Sequence, residues 1–150
     1  MSATATRRNL DYPSIDAAIA DVQSLRRGYT QSGNWTLPQI CWHLTAVLDK
    51  TSRPATEPAT PEQQNMQPIK EKILATGRLP VRIEAPQPVV PPPDCGEESV
   101  DAFIAALRRL AIYPEKTAAH RLWGPLTASE FQRLSLIHCA HHLSHLTATS

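Results

Sequence analysis

Four of the six histidines in the chain, His138, His141, His142 and His145, fall within the ten residues HCAHHLSHLT. Neutral imidazole is a ligand for zinc, nickel, copper and iron, and it exchanges a proton near neutral pH. On an α-helix advancing about 100° per residue, with His138 as zero, His142 lies at roughly +40°, His145 at roughly −20° and His141 at roughly −60°. All four share a sector of about 100° on a helix expected over residues 127–147. Leu134, at roughly −40°, puts an apolar residue in the same sector, so this face points inward. Two i,i+4 pairs result, His138 with His142 and His141 with His145. Either places two imidazoles one turn apart, a spacing that can grip one divalent ion. The glutamate of a HExxH metalloprotease motif is missing. Buried imidazoles need polar partners, and a shared metal or proton supplies one.

Zinc or nickel requires at least one further ligand. The best candidate is His43 in TLPQICWHLTAVLDK, at the edge of the stripe formed by Leu37, Ile40, Cys41, Leu44, Val47 and Leu48. It lies about 60° from Ile40 and 40° from Val47, where a ring can turn into a cleft between helices. A lone histidine at such a place is otherwise a hydrogen-bonded boundary residue. His120, expected in a loop before Trp123, is a weaker candidate. Asp49 lies six residues beyond His43 and far around the same helix, so no carboxylate nearby offers itself as a general base. Cys41, Cys95 and Cys139 lack CxxC spacing and read as reduced thiols.

Four longer helices are expected to position these groups. The first follows Pro13, with Ser14 as N-cap, Ile15, Ala18, Ile19, Val22 and Leu25 as its stripe, and Gly28 as its stop. The second and fourth start alike. Thr36 with Gln39, and Thr127 with Glu130, have capping-box spacing; Trp35 with Ile40, and Leu126 with Phe131, have staple spacing. The third spans about Glu97 to Ile112, with acidic residues at its start and Arg108 and Arg109 at its end, matching the helix dipole. Ten of the 14 prolines lie between Pro54 and Pro93, so residues 53–96 read as a proline-rich connection. Within it Gln64–Thr76 is compatible with one short helix ended by Gly77. A connection this long is expected to pack over the mouth or one side of the helices. Val81–Glu84 is the single strand candidate. The expectation is an all-α four-helix bundle, one domain over 1–150 with an N-terminal arm over 1–12.

The chain has 150 residues, 41% apolar and 19% charged, with a net charge of +1. This is the size and composition of one globular domain. No basic excess supports nucleic-acid binding, and no apolar run approaches the ~20 residues that span a bilayer. Arg7-Arg8 is not followed by the apolar stretch of an export signal, so a cytoplasmic protein is expected.

The segments RRNLDYPSIDAAIADV, GNWTLPQICWHL and WGPLTASEFQRLSLIHCAHHLSHL together resemble the DinB/YfiT-like metalloenzyme superfamily, in its DUF1569 branch. The resemblance implies a DinB-like four-helix bundle with a divalent metal, zinc or nickel, held by His43, His138 and His142. It thereby prefers His138/His142 over the second pair, and leaves His141 and His145 as second-layer groups, alternative ligands or substrate contacts. Three histidines with an open position are the layout of a catalytic metal. The resemblance further implies a small-molecule substrate, thiol S-transferase-like or hydrolase-like chemistry, a low-molecular-weight thiol as cosubstrate and a homodimer. A competing reading is a non-enzymatic bundle in which the histidines hold a structural or sensory metal, or drive a pH-responsive assembly.

Overall fold

The computed structural model describes residues 7–79 and 89–149. Among these the chain is mostly helical, with six helices and two small antiparallel sheets. The capping signals place the long helices. Ser14 accepts from the Ala17 N–H and starts α1 (Ile15–Leu25). Full capping boxes at Thr36/Gln39 and Thr127/Glu130 start α2 (Leu37–Thr51) and α6 (Ala128–Leu143). The α5 helix (Glu97–Ala111) begins at Gly96, whose N–H donates to the Glu98 carboxylate. Arg26, just past α1, meets Glu97 and Asp101 in the first turns of α5, each at 2.8 Å. The apolar stripes of α1, α2, α5 and α6 face one another around Phe103, Phe131, Leu25, Leu44 and Leu107, all buried.

Three expectations are corrected. The helix expected over Gln64–Thr76 is two helices, α3 (Pro61–Asn65) and α4 (Gln67–Thr76). Pro68 has no N–H to give the Gln64 carbonyl and its ring crowds that carbonyl, so the helix breaks at Met66 and restarts. Gly77 ends α4 in the left-handed region, at φ 70°, as expected.

The all-α reading holds for most of the described chain but omits two small antiparallel sheets. Strand β1 (Tyr29–Gln31) pairs with β4 (Leu146–Ala148), and β2 (Thr117–His120) pairs with β3 (Gly124–Thr127). His120 is therefore the last residue of a strand and not a loop residue. The turn after it closes through Gly124 at φ +71°, where a Cβ would come within 2.7 Å of the Gln63 side chain. Val81–Glu84 lies outside the described residues.

The third correction follows from the β1–β4 pair. The last helix stops at Leu143, with Ser144 as C-cap, instead of running to residue 147. Pairing with β1 satisfies backbone groups that further helix would have satisfied internally. His145 consequently leaves the helix face.

The connection between α2 and α5 frames one side. Its start joins the hairpin, with Arg53 O accepting from Ala119 N and Ala55 N donating to Thr117 Oγ1. Then α3 holds the hairpin turn, Gln63 Nε2 donating to Arg121 O at 3.2 Å, and α4 reaches α6 through Lys70 and Glu130 at 3.2 Å. At the N-terminal side, Arg8 forms a two-pronged pair with Asp21 of α1 at 2.9 and 2.8 Å and also donates to Leu143 O. Tyr12 donates to the same carboxylate. No helix among the described residues is long and apolar enough to cross a membrane.

Candidate metal centre

The α2 and α6 helices pack against each other with His43 on one and His138 and His142 on the other. The capping boxes decide where each helix begins, and thereby which residues face the seam. His138 and His142 are one turn apart on α6, and His43 meets them across the seam. The Nε2 atoms of His43 and His138 are 3.3 Å apart, and those of His142 and His138 are 3.0 Å apart. One nitrogen from each of the three rings lies within 4.8 Å of the others.

The outer nitrogen of His43 sets its tautomer. Nδ1 lies 2.8 Å from the Val89 carbonyl, so it must carry the proton and donate, leaving Nε2 with a bare lone pair aimed at the cluster. A single proton shared among the three nitrogens satisfies one close contact and leaves the other unmet. A cation accepting three lone pairs satisfies all of them. Trp35 covers the group, stacked on His142 at 5.5 Å between centroids and tilted against His43 at 5.0 Å.

Burial lowers the pKa of His43, although the Val89 carbonyl works in the opposite direction. His138 and His142 are held well below the usual imidazole range, first by burial and then by neighbouring imidazoles. All three rings are thus neutral at pH 7, the state in which an imidazole can ligate.

The three rings line one wall of a cavity of about 1190 Å³. Phe131 and Leu134 supply apolar wall, and the α2 end and the hairpin turn supply polar groups: Asp49, Lys50, Arg53, His120 and Arg121. The Asp49 carboxylate lies 3.4 Å from Arg109.

The other histidines are placed differently. His141 lines the cavity beside His142, at 5.1 Å between centroids, but its Nδ1 accepts from Arg7 at 2.9 Å. Burial and the Arg7 charge lower its pKa to about 4. His145 follows the C-cap, sits 3.2 Å from Ser32 Oγ through Nδ1 and packs on Gly33. Its centroid is 6.3 Å from that of His141, so the second i,i+4 pair does not form on the helix. His120 lies tilted against Trp123 at 4.4 Å between centroids, and burial lowers its pKa to about 4.

The sequence reading missed Trp35, Val89 and Arg7 as partners of the imidazoles. Trp35 could have been found, since the residue before an N-cap lies close to the first turns of its helix. Val89 and Arg7 carried no local signal. All three cysteines are unpaired, Cys41 and Cys139 in the core, and burial pushes the Cys139 thiol up to about 12.

A family model described as a protein of unknown function, DUF1569, matches residues 4–149. A search of curated proteins and a search of solved structures each found no match.

Proposed function

Because the chain belongs to the DUF1569 family, a family of unknown function, we propose its function from the site itself: a divalent-metal-dependent enzyme acting on a small molecule. In this reading α1, α2, α5 and α6 form a four-helix bundle of the DinB/YfiT-like type. His43, His138 and His142 hold zinc or nickel, and the cavity beside them receives the substrate. The observation that carries the reading is the convergence of three imidazole nitrogens within 4.8 Å at a cavity wall.

The donor set fits such an ion. Three neutral imidazoles of borderline softness suit zinc and nickel, and the Val89 carbonyl orients one of them from behind. Among the described residues no fourth histidine, cysteine or carboxylate joins the group, which favours an open position over a closed structural site. When bound, the metal would supply Lewis acidity to a water or thiol reactant, consistent with a hydrolase or a thiol S-transferase. The protein contributes the rest. Trp35 shields the imidazoles from water, His43 is fixed in one tautomer, and the apolar wall of Phe131 and Leu134 excludes solvent from the reacting end.

The test is metal content and calorimetric titration of untagged protein after chelation. About one equivalent of zinc or nickel is expected in the parent chain, and none in His138→Ala or His142→Ala. A parent chain that binds neither ion saturably ends the proposal.

A further inference from the structure

The cavity has a second set of polar residues, close enough to the three-histidine wall for His120 to bear on His138, that the metal reading does not use. The set is built on the turn between β2 and β3. The Leu122 backbone N–H donates to His120 Nδ1 at 3.0 Å. A backbone N–H cannot do otherwise, so Nδ1 bears a lone pair and the neutral ring carries its proton on Nε2. Among the described residues Nε2 has no hydrogen-bond partner, yet it is not sealed from solvent-sized space. It is a donor without an acceptor in a cavity-lining residue.

Trp123 packs against this imidazole, the two rings tilted at 4.4 Å between centroids, and so holds it in place. The Trp123 Nε1–H itself is buried away from the cavity. Gln63 fixes the turn from α3 by donating to Arg121 O.

The charges among these residues favour an anion. Lys50, Arg53 and Arg121 line the cavity, against Asp49 and Glu57. Asp49 is drawn to Arg109, while neither Arg53 nor Arg121 has an ion-pair partner among the described residues. What fits a fixed N–H donor beside unpaired guanidinium groups is a group that only accepts and is negative. The arrangement is furnished for a carboxylate.

We propose that His120 anchors the substrate in the cavity, donating through Nε2–H, with Arg53 and Arg121 supplying positive charge, to the carboxylate of a small organic acid whose other end reaches the three-histidine wall. The anchoring itself is independent of any metal; only the destination of the far end rests on the proposed function. His120 is thus a binding residue with a fixed tautomer.

The tautomer can be read directly. Long-range ¹H–¹⁵N correlation on the parent chain should show His120 protonated at Nε2 at pH 7; protonation at Nδ1 overturns the inference. The anchoring is tested with two probes of equal length, hexanoate and hexylamine, titrated into chelated protein so that a carboxylate has no metal to bind. Hexanoate should shift the His120 and Trp123 side-chain signals and bind at least about tenfold more tightly than the amine. His120→Phe, which keeps a ring against Trp123 but has no donor, should lose that preference, and His120→Asn offers a second variant that still accepts from Leu122. His138→Ala, placed in the metal site, should keep it. Equal binding of the two probes, or an unchanged preference in both His120 variants, overturns the anchoring. Metal content measured on the same samples separates the two ideas: a chain that prefers hexanoate but binds no zinc or nickel retains the anchor and loses the metal.

Discussion

His120 makes the clearest acid-stability prediction, because one cause, burial, dominates its shift and its value is about 4. In the unfolded chain the same imidazole titrates near 6.5. The folded pKa lies below the unfolded one, so between them the unfolded state binds more protons and stability falls as pH falls. The contribution is fully present above pH 6.5 and is lost on the way down to about 4. Integrating the linkage between pH 7 and pH 5 gives about 2 kcal/mol lost from this one residue. For a domain whose total stability is of order 5–15 kcal/mol that is a measurable share. The assay is urea unfolding at a series of pH values, in chelator, for the parent chain and His120→Asn. The asparagine cannot titrate, and its side-chain oxygen can still accept from Leu122 N. Relative to the variant, the parent chain should lose about 2 kcal/mol between pH 7 and pH 5, a relative midpoint shift of about 1 M urea. His43, His138, His141, His142 and His145 are all shifted in the same direction, so both proteins will weaken in acid. Only the difference between them isolates His120. Two parallel curves would refute the argument, since they would mean that the ring charges as freely in the folded chain as in the unfolded one.

Two further outcomes follow from the packing. Asp21→Ala removes the acceptor shared by Arg8 and Tyr12 and strands a half-buried guanidinium; unfolding should show a loss of up to about 3 kcal/mol, much larger than for an exposed pair. Thr127→Ala removes the side-chain cap of α6 and should cost about 1 kcal/mol in the same measurement while leaving the apolar packing of the helix in place.

The site and the fold are coupled through elements that act at different ranges. The capping boxes at Thr36 and Thr127 start the two helices that bring the imidazoles together. The N-terminal arm reaches the other end of α6, where Arg8 donates to Leu143 O and Arg7 holds the Ser144 and His141 side chains. That arm therefore bears on how the histidine-rich end of the helix sits, and Arg7 takes up the Nδ1 lone pair of His141.

The long helices were legible in the sequence because their signals are local. A cap bonds to a residue three positions on, and an apolar stripe repeats every three or four residues, so both can be read within one short window. The same locality made His138 and His142 neighbours before any packing was known, and Pro68, already visible in the chain, broke the predicted central helix for an equally local reason. The strands were not legible. Tyr29 pairs with Ala148 from the far end of the chain, and neither YTQ nor LTA has enough alternation to announce a strand. That distant pairing ends α6 at Leu143 and removes His145 from the histidine face, breaking the symmetry between the two i,i+4 pairs that spacing had left open. Tertiary contacts also decided which nitrogen of each ring is available. The Val89 carbonyl turns His43 Nε2 toward His138, and the Leu122 amide turns the proton of His120 outward. Sequence alone determined which histidines could stand side by side, because the helix pitch is a property of the backbone. Only the folded chain determined which way their lone pairs face, because the hydrogen bond on the opposite nitrogen comes from a residue elsewhere in the fold or from the geometry of a turn.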